Sequence, residues 1–137
     1  MKKPATHSET STGICRSFEP TPSAVPRARW FVADALRAAG LSTSPAELLT
    51  SELASNAVDH SITPFEVTVL IGDEVRVEVV DGSPTVPVRV AAAHDAERGR
   101  GLWVLDALAS AWSVEPSACG KTVWFTVPAV PRSLPSS

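Results

Sequence analysis

The chain has 137 residues, of which 44% are hydrophobic and 20% are charged, and its formal net charge at pH 7 is −3. This composition is typical of one folded domain and excludes a disordered or membrane-embedded chain. The acidic balance argues against a nucleic-acid partner, which usually requires a basic face. No apolar run is long enough to cross a membrane, and the amino terminus lacks the apolar core of a signal peptide, so we expect a cytoplasmic protein without membrane contacts.

The first predicted elements follow a polar amino-terminal tail at residues 1–12, which we expect to be disordered. Residues 13–18 are a predicted strand. A proline-rich connection then leads to a predicted helix at about residues 25–39. Its apolar side chains recur at the spacing of one helix face, and Gly40 follows as a stop signal.

A second predicted helix has a clear start signal. Ser44 is its predicted N-cap, Pro45 its first residue and Glu47 the partner of Ser44 in a capping box. The helix is predicted to end near His60. Its predicted core-facing side chains are Leu49, Leu53 and Ala57.

A hairpin is predicted next, because apolar and polar residues alternate on both sides of Gly72-Asp73. Its second strand is predicted to end at Asp81. The following stretch has no clear period and is predicted to be a long loop. After the loop, the sequence predicts a helix at about residues 101–109 and a second hairpin whose turn spans residues 117–120.

The order of these elements predicts an α+β fold at residues 13–127. Helices grouped with hairpins give a two-layer sandwich, with one mixed, mostly antiparallel sheet and the helices on one face. The last residues, 128–137, are rich in proline and serine, and we expect a second disordered tail there.

Three segments carry candidate chemistry, and the first lies on the second helix. Glu52 and Asn56 are four positions apart and therefore share a helix face beside the core stripe. An asparagine oxygen is a suitable Mg²⁺ ligand, and a glutamate one turn away is suited to act as a general base. The alternative is an ordinary amphipathic helix with an exposed polar face.

The second and third segments are Asp81-Gly82 and Arg98-Gly99-Arg100-Gly101-Leu102. An aspartate at a strand end is able to accept a hydrogen bond from an exocyclic amine, although Asp-Gly is also a common turn. Glycines before a helix allow the backbone to approach a phosphate, which the helix start then binds. The alternative for this segment is a flexible loop.

Taken in order, these segments resemble the N-box and the two glycine boxes of the GHKL, or histidine-kinase-like, ATPases. Gly120-Lys121-Thr122-Val123-Trp124-Phe125 resembles the final hairpin of that family. The resemblance covers roughly residues 14–127 and implies the Bergerat-type ATP-binding fold. Ser51 to Ser61 and the short chain resemble the anti-sigma-factor serine kinases and related small actinobacterial regulators.

The resemblance implies ATP and Mg²⁺ as cofactors and gives each matching residue a role. Glu52 would be the general base, Asn56 the Mg²⁺ ligand and Asp81 the acceptor for the adenine amine. Thr122 would lie near the adenine, and residues 83–98 would form the ATP lid. The expected phosphate- and nucleotide-binding residues are Gly82, Gly99, Arg100, Gly101 and Leu102. Ser83 departs from the family, which often has glycine there.

The resemblance also implies a function and partners. A kinase of this type phosphorylates an antagonist protein of the STAS type on serine or threonine and binds a sigma factor, often as a homodimer. The alternative is a module that holds ATP, or no nucleotide, and regulates transcription only by sequestering its partner protein. A histidine-kinase relative or a simple ATPase is the third possibility.

Overall fold

The structure of the protein is a computed structural model that describes residues 12–82, 103–117 and 120–132. The described residues form five strands and three helical segments. In chain order these are β1 (Thr12–Phe18), α1 (Ala24–Ala38), α2 (Ala46–His60), β2 (Phe65–Ile71), β3 (Glu74–Asp81), α3 (residues 103–108), β4 (Ala111–Ser117) and β5 (Gly120–Pro128).

The five strands form one sheet in the order β1-β2-β3-β5-β4. All four pairings between neighbouring strands are antiparallel. Helices α1 and α2 pack against each other, α1 also contacts β2, and α2 also contacts β3. The predicted two-layer α+β sandwich with a mostly antiparallel sheet is therefore confirmed.

The core lies between one face of the sheet and the two long helices. Alternate residues of the three central strands point into it, as the period of two in their sequences requires. These residues are Phe65, Val67, Val69, Val75, Val77, Val79, Val123, Phe125 and Val127. The predicted stripe of α2 (Leu49, Leu53 and Ala57) is buried against them, as are Val32 and Leu36 of α1. Ala39 lies beyond the end of α1 and is exposed.

The other face of the sheet carries a charged and aromatic network on β3, β5 and β4. The guanidinium carbon of Arg76 lies 4.0 Å from the centre of the Trp124 ring, and Arg76 Nε lies 2.7 Å from Glu78 Oε2. The indole Nε1 of Trp124 donates to Glu115 Oε2 at 2.9 Å. These contacts cover apolar ring surface that no described helix covers.

The start of α2 differs from the prediction. The helix begins at Ala46, its N-cap position is Pro45, and no side chain caps it. The backbone N–H of Glu47 donates instead to the carbonyl of Thr43 at 2.9 Å. Glu47 Oε1 lies 3.8 Å from Arg29 Nε on α1, so this carboxylate pairs with the neighbouring helix. The capping-box prediction for Ser44 was therefore wrong.

Part of the predicted carboxyl-terminal tail is structured. Pro128 ends β5, and the next residues run beside the connection between α1 and α2. Ser42 N–H donates to the carbonyl of Val130 at 2.7 Å, and Arg132 N–H donates to the carbonyl of Gly40 at 2.8 Å. These backbone hydrogen bonds offset the low propensity of a proline-rich segment. Residues 1–11 and 133–137 of the two predicted tails lie outside the described residues.

None of the helices that the structure describes has both the length and the apolar character needed to span a membrane.

The burial of α2 predicts a large cost for truncating its core face. Leu53→Ala should lower the free energy of unfolding by about 2–5 kcal/mol, because it leaves a cavity between the helix and the sheet. Leu48→Ala on the same helix is the matched control, since Leu48 is 47% exposed and Leu53 only 2%. The control should cost less than about 1 kcal/mol. Urea unfolding measures both, and equal losses would contradict the packing described for α2.

Candidate functional site

The candidate site is centred on the end of β3, where the buried face of the strand finishes with a charged residue. Asp81 is buried, and so is Lys121 on β5; each side chain is only 2% exposed. Lys121 Nζ lies 3.0 Å from Asp81 Oδ2 and 3.1 Å from Oδ1. Two buried opposite charges in contact compensate each other, whereas either one alone would be costly to bury.

The register of the sheet and a glycine bring these two charges together. Asp81 and Lys121 are direct partners across β3 and β5. The preceding residue, Gly120, has φ +151°, a conformation that L side chains rarely adopt. A Cβ atom at Gly120 would overlap the backbone oxygen of Asp81. The glycine therefore permits the close approach of the two strands at the point where the charges meet.

A short hydroxyl network joins this strand end to the end of α2. Thr63 Oγ1 accepts a hydrogen bond from the backbone N–H of Gly82 at 3.1 Å and lies 2.8 Å from Ser61 Oγ. Ser61 is the C-cap residue of α2. The last turn of α2 is consequently tied to Asp81-Gly82.

Helix α2 carries two more of the predicted site residues that the structure describes. Glu52 and Asn56 are both half-buried, and four residues of helix separate them by about 6 Å along the axis. Asn56 lies toward the helix end that the Ser61–Thr63 network joins to β3, and Glu52 lies one turn further back. The described candidate residues are thus a carboxylate and an amide on α2 and the buried Asp81–Lys121 pair at the end of β3.

Thr122, another predicted site residue, does not lie beside Asp81. Thr122 pairs with Val80 in the sheet, and its side chain projects from the opposite face to Asp81. The side chain beside Asp81 is that of Lys121 rather than Thr122. Gly99, Arg100, Gly101 and Leu102 and the predicted lid at residues 83–98 lie outside the described residues.

Sequence reasoning missed Lys121, Ser61 and Thr63. A signal for Lys121 was present, because it falls on the same strand face as Val123, Phe125 and Val127, and a lysine in line with buried residues needs a buried partner. Ser61 and Thr63 follow the helix in an irregular segment, whose contacts depend on where β3 ends. No local sequence pattern therefore indicates the hydrogen bonds that Ser61 and Thr63 make.

The oxygen-bearing side chains of the candidate site suit Mg²⁺ that is bound together with a nucleotide better than a metal ion held by protein side chains alone. Within residues 12–82, 103–117 and 120–132, no group of three or more His, Cys, Asp or Glu side chains is placed to hold a metal ion. Magnesium keeps several waters and is usually bound through one or two protein oxygens together with substrate phosphates, so the Asn56 amide oxygen is a suitable ligand. Asp81 is engaged by Lys121 and suits a hydrogen-bonded amine better than a metal.

The family model of the histidine kinase-like ATPase domain matches residues 18–127, which is more than half of the chain. The chain therefore belongs to the histidine kinase-like ATPase family. No curated protein matches the chain significantly.

The buried ion pair predicts a strong energetic coupling between its two members. Lys121→Met should lower the free energy of unfolding by about 3–5 kcal/mol, because the buried carboxylate of Asp81 then loses its ion pair with the ammonium group. The double variant Asp81→Leu/Lys121→Met should recover most of that loss, since both charges are removed. Denaturant unfolding of the two single variants and the double variant measures the coupling.

The matched control for this series is Arg37→Met. Arg37 pairs with Asp34 at 3.0 Å, but both side chains are exposed. Its loss should cost less than about 1 kcal/mol, because water screens exposed pairs. If Lys121→Met costs no more than Arg37→Met, the buried pair does not stabilise the fold.

Proposed function

We propose that this chain is an ATP-dependent protein serine/threonine kinase of the anti-sigma-factor type, whose substrate is a STAS-type antagonist protein. The observation that carries the proposal is the placement of Glu52 and Asn56, half-buried and one turn apart, on the helix joined to Asp81-Gly82. A general base and a magnesium ligand at this separation serve phosphoryl transfer to a hydroxyl. The histidine kinase-like family membership supports the nucleotide.

In the proposed reaction, Glu52 accepts the proton of the substrate hydroxyl. The hydroxyl oxygen forms a bond to the γ-phosphorus of ATP, and the bond from that phosphorus to the bridging oxygen breaks, so that ADP leaves with its electron pair. Mg²⁺, when bound, neutralises charge on the phosphate oxygens. Asn56 would hold that ion, and Asp81 would accept a hydrogen bond from the adenine amine.

A sequestering module is the second candidate function, and one surface favours it. A groove of about 470 Å³ lies between β1 and α1, and its wall includes Trp30, Phe31, Arg16 and Arg27. Trp30 is 54% exposed. Asp34 in the same wall pairs with Arg37, whereas no ion pair joins Arg16 or Arg27 to another described residue, so these two cations suit an acidic segment of a partner protein. Glu52, Asn56 and Asp81 do not line it.

The kinase proposal predicts that replacing the general base, Glu52, lowers phosphate transfer but not the affinity for ATP. Glu52→Gln should lower phosphate transfer from labelled Mg-ATP to a STAS-domain protein by about 100-fold or more, because the hydroxyl then has no proton acceptor. The affinity for ATP should stay within about threefold of wild type, since Glu52 contributes no binding group for the nucleotide.

Glu47→Gln is the matched control for this assay, because Glu47 is also half-buried on α2 but pairs with Arg29 on α1. It should leave the rate of transfer unchanged. Full transfer by the Glu52→Gln variant would reject the assignment of the base. If the wild-type protein forms a stable partner complex without any transfer, the sequestering function replaces the kinase.

If Asn56 is the magnesium ligand, replacing it should reduce the dependence of ATP binding on Mg²⁺. In calorimetric titrations, Asn56→Ala should weaken binding of ATP in the presence of Mg²⁺ by about tenfold or more, because an oxygen ligand is lost. Binding in the presence of a chelator should change much less. Asp59→Ala, an exposed change on the same helix, serves as the control. An Asn56→Ala protein with the wild-type dependence on Mg²⁺ would remove Asn56 from the metal site.

A further inference from the structure

We propose that Lys121 is a base-recognition residue, which donates a hydrogen bond to ring nitrogen N1 of adenine while Asp81 accepts one from the adjacent amino group. The inference rests on the proposed function in one respect, namely that the adenine of ATP binds at Asp81. It adds a direct contact from the protein to the ring, made by a residue on the neighbouring strand.

Lys121 has more hydrogen-bond donors than its contact with Asp81 occupies. An ammonium group has three N–H donors and no acceptor. Among the described residues, Nζ donates only to the two carboxylate oxygens of Asp81, which occupies at most two of the three. A buried donor without a partner costs free energy. The third N–H is therefore available to an acceptor on a ligand.

The positions of the Asp81 carboxylate and the Lys121 ammonium group match one edge of adenine. Asp81 and Lys121 are direct cross-strand partners at the end of the buried face, so an acceptor and a donor lie side by side 3.0 Å apart. Adenine presents the complementary set on one edge, with its amino donor next to the N1 acceptor. A buried pair of this kind discriminates strongly against a base that lacks either group.

The backbone of β5 determines which of its residues lies beside Asp81. Its backbone follows Gly120, which lies against Asp81 at φ +151°. The next residue, Thr122, projects from the other face of the sheet and is not beside Asp81. Lys121 is therefore the residue of β5 that reaches a base held by Asp81.

The test changes one group of the ligand at a time and begins with the folded wild-type protein. Calorimetric titration compares Mg-ATP with 1-deaza-ATP, in which a C–H replaces N1, and with purine riboside triphosphate, which lacks the amino group. The wild-type protein should bind 1-deaza-ATP about tenfold or more weakly than ATP. In Lys121→Met, the ratio between the two ligands should fall to about twofold or less.

Purine riboside triphosphate, which lacks the amino group, tests the contact with Asp81 separately. It should bind more weakly than ATP to the wild-type protein and to Lys121→Met alike. Arg37→Met should keep the wild-type ratio between ATP and 1-deaza-ATP, because Arg37 lies on α1 and pairs with Asp34. Circular dichroism checks that each variant is folded. If Lys121→Met fails to fold, equal binding of ATP and 1-deaza-ATP by the wild-type protein would still overturn the proposal, and Lys121→Gln, which keeps a polar group beside Asp81, takes the place of Lys121→Met in the comparison.

Three results would overturn the inference. Equal affinity of the wild-type protein for ATP and 1-deaza-ATP would show that N1 is not contacted. An unchanged ratio in folded Lys121→Met would assign the contact to another group. Tighter binding of GTP than of ATP would show that the pair reads a guanine edge. Failure of the folded wild-type protein to bind ATP at all would instead reject the nucleotide function, which is a different outcome.

Discussion

The antiparallel pairing of β3 with β5 is the constraint on which the rest of the structure depends. These strands lie at the centre of the sheet, and their buried residues contact those of the helices above. The same register that aligns Val77 with Phe125 and Val79 with Val123 also aligns Asp81 with Lys121. A strand face that begins as valines and ends in a charge thus builds the hydrophobic core and the candidate site by one pattern of hydrogen bonds.

Helix α2 has a similar double role, because one face packs on the sheet while its boundary presents Glu52 and Asn56. Its carboxyl end is held to the sheet by the hydrogen bond between Thr63 Oγ1 and the Gly82 N–H, so the helix and the strand end are positioned relative to each other. Side chains on rigid elements keep their geometry better than side chains on loops. The helix and the strand end therefore form a rigid base for the site.

Much of this fold was predictable, because the alternation of valines in β2 and β3 and the leucine spacing of α2 are local patterns. The side-chain roles at element ends were less predictable. Glu47 was expected to cap its own helix but pairs with Arg29, a contact that depends on how two helices pack. In the candidate site, Asp81 was predicted from its strand-end position, whereas Lys121 was missed because its contact with Asp81 depends on the register between strands distant in sequence.

The network on the outer face of the sheet affects how the protein behaves in solution. None of the described helices covers this surface of the sheet, and flat apolar surfaces tend to stack against other molecules. Here Arg76 covers the Trp124 ring, while Glu78 and Glu115 surround it with negative charge. Two copies that approached face to face would have to strip water from these charged groups. The same four side chains that finish the sheet therefore also oppose self-association through that surface.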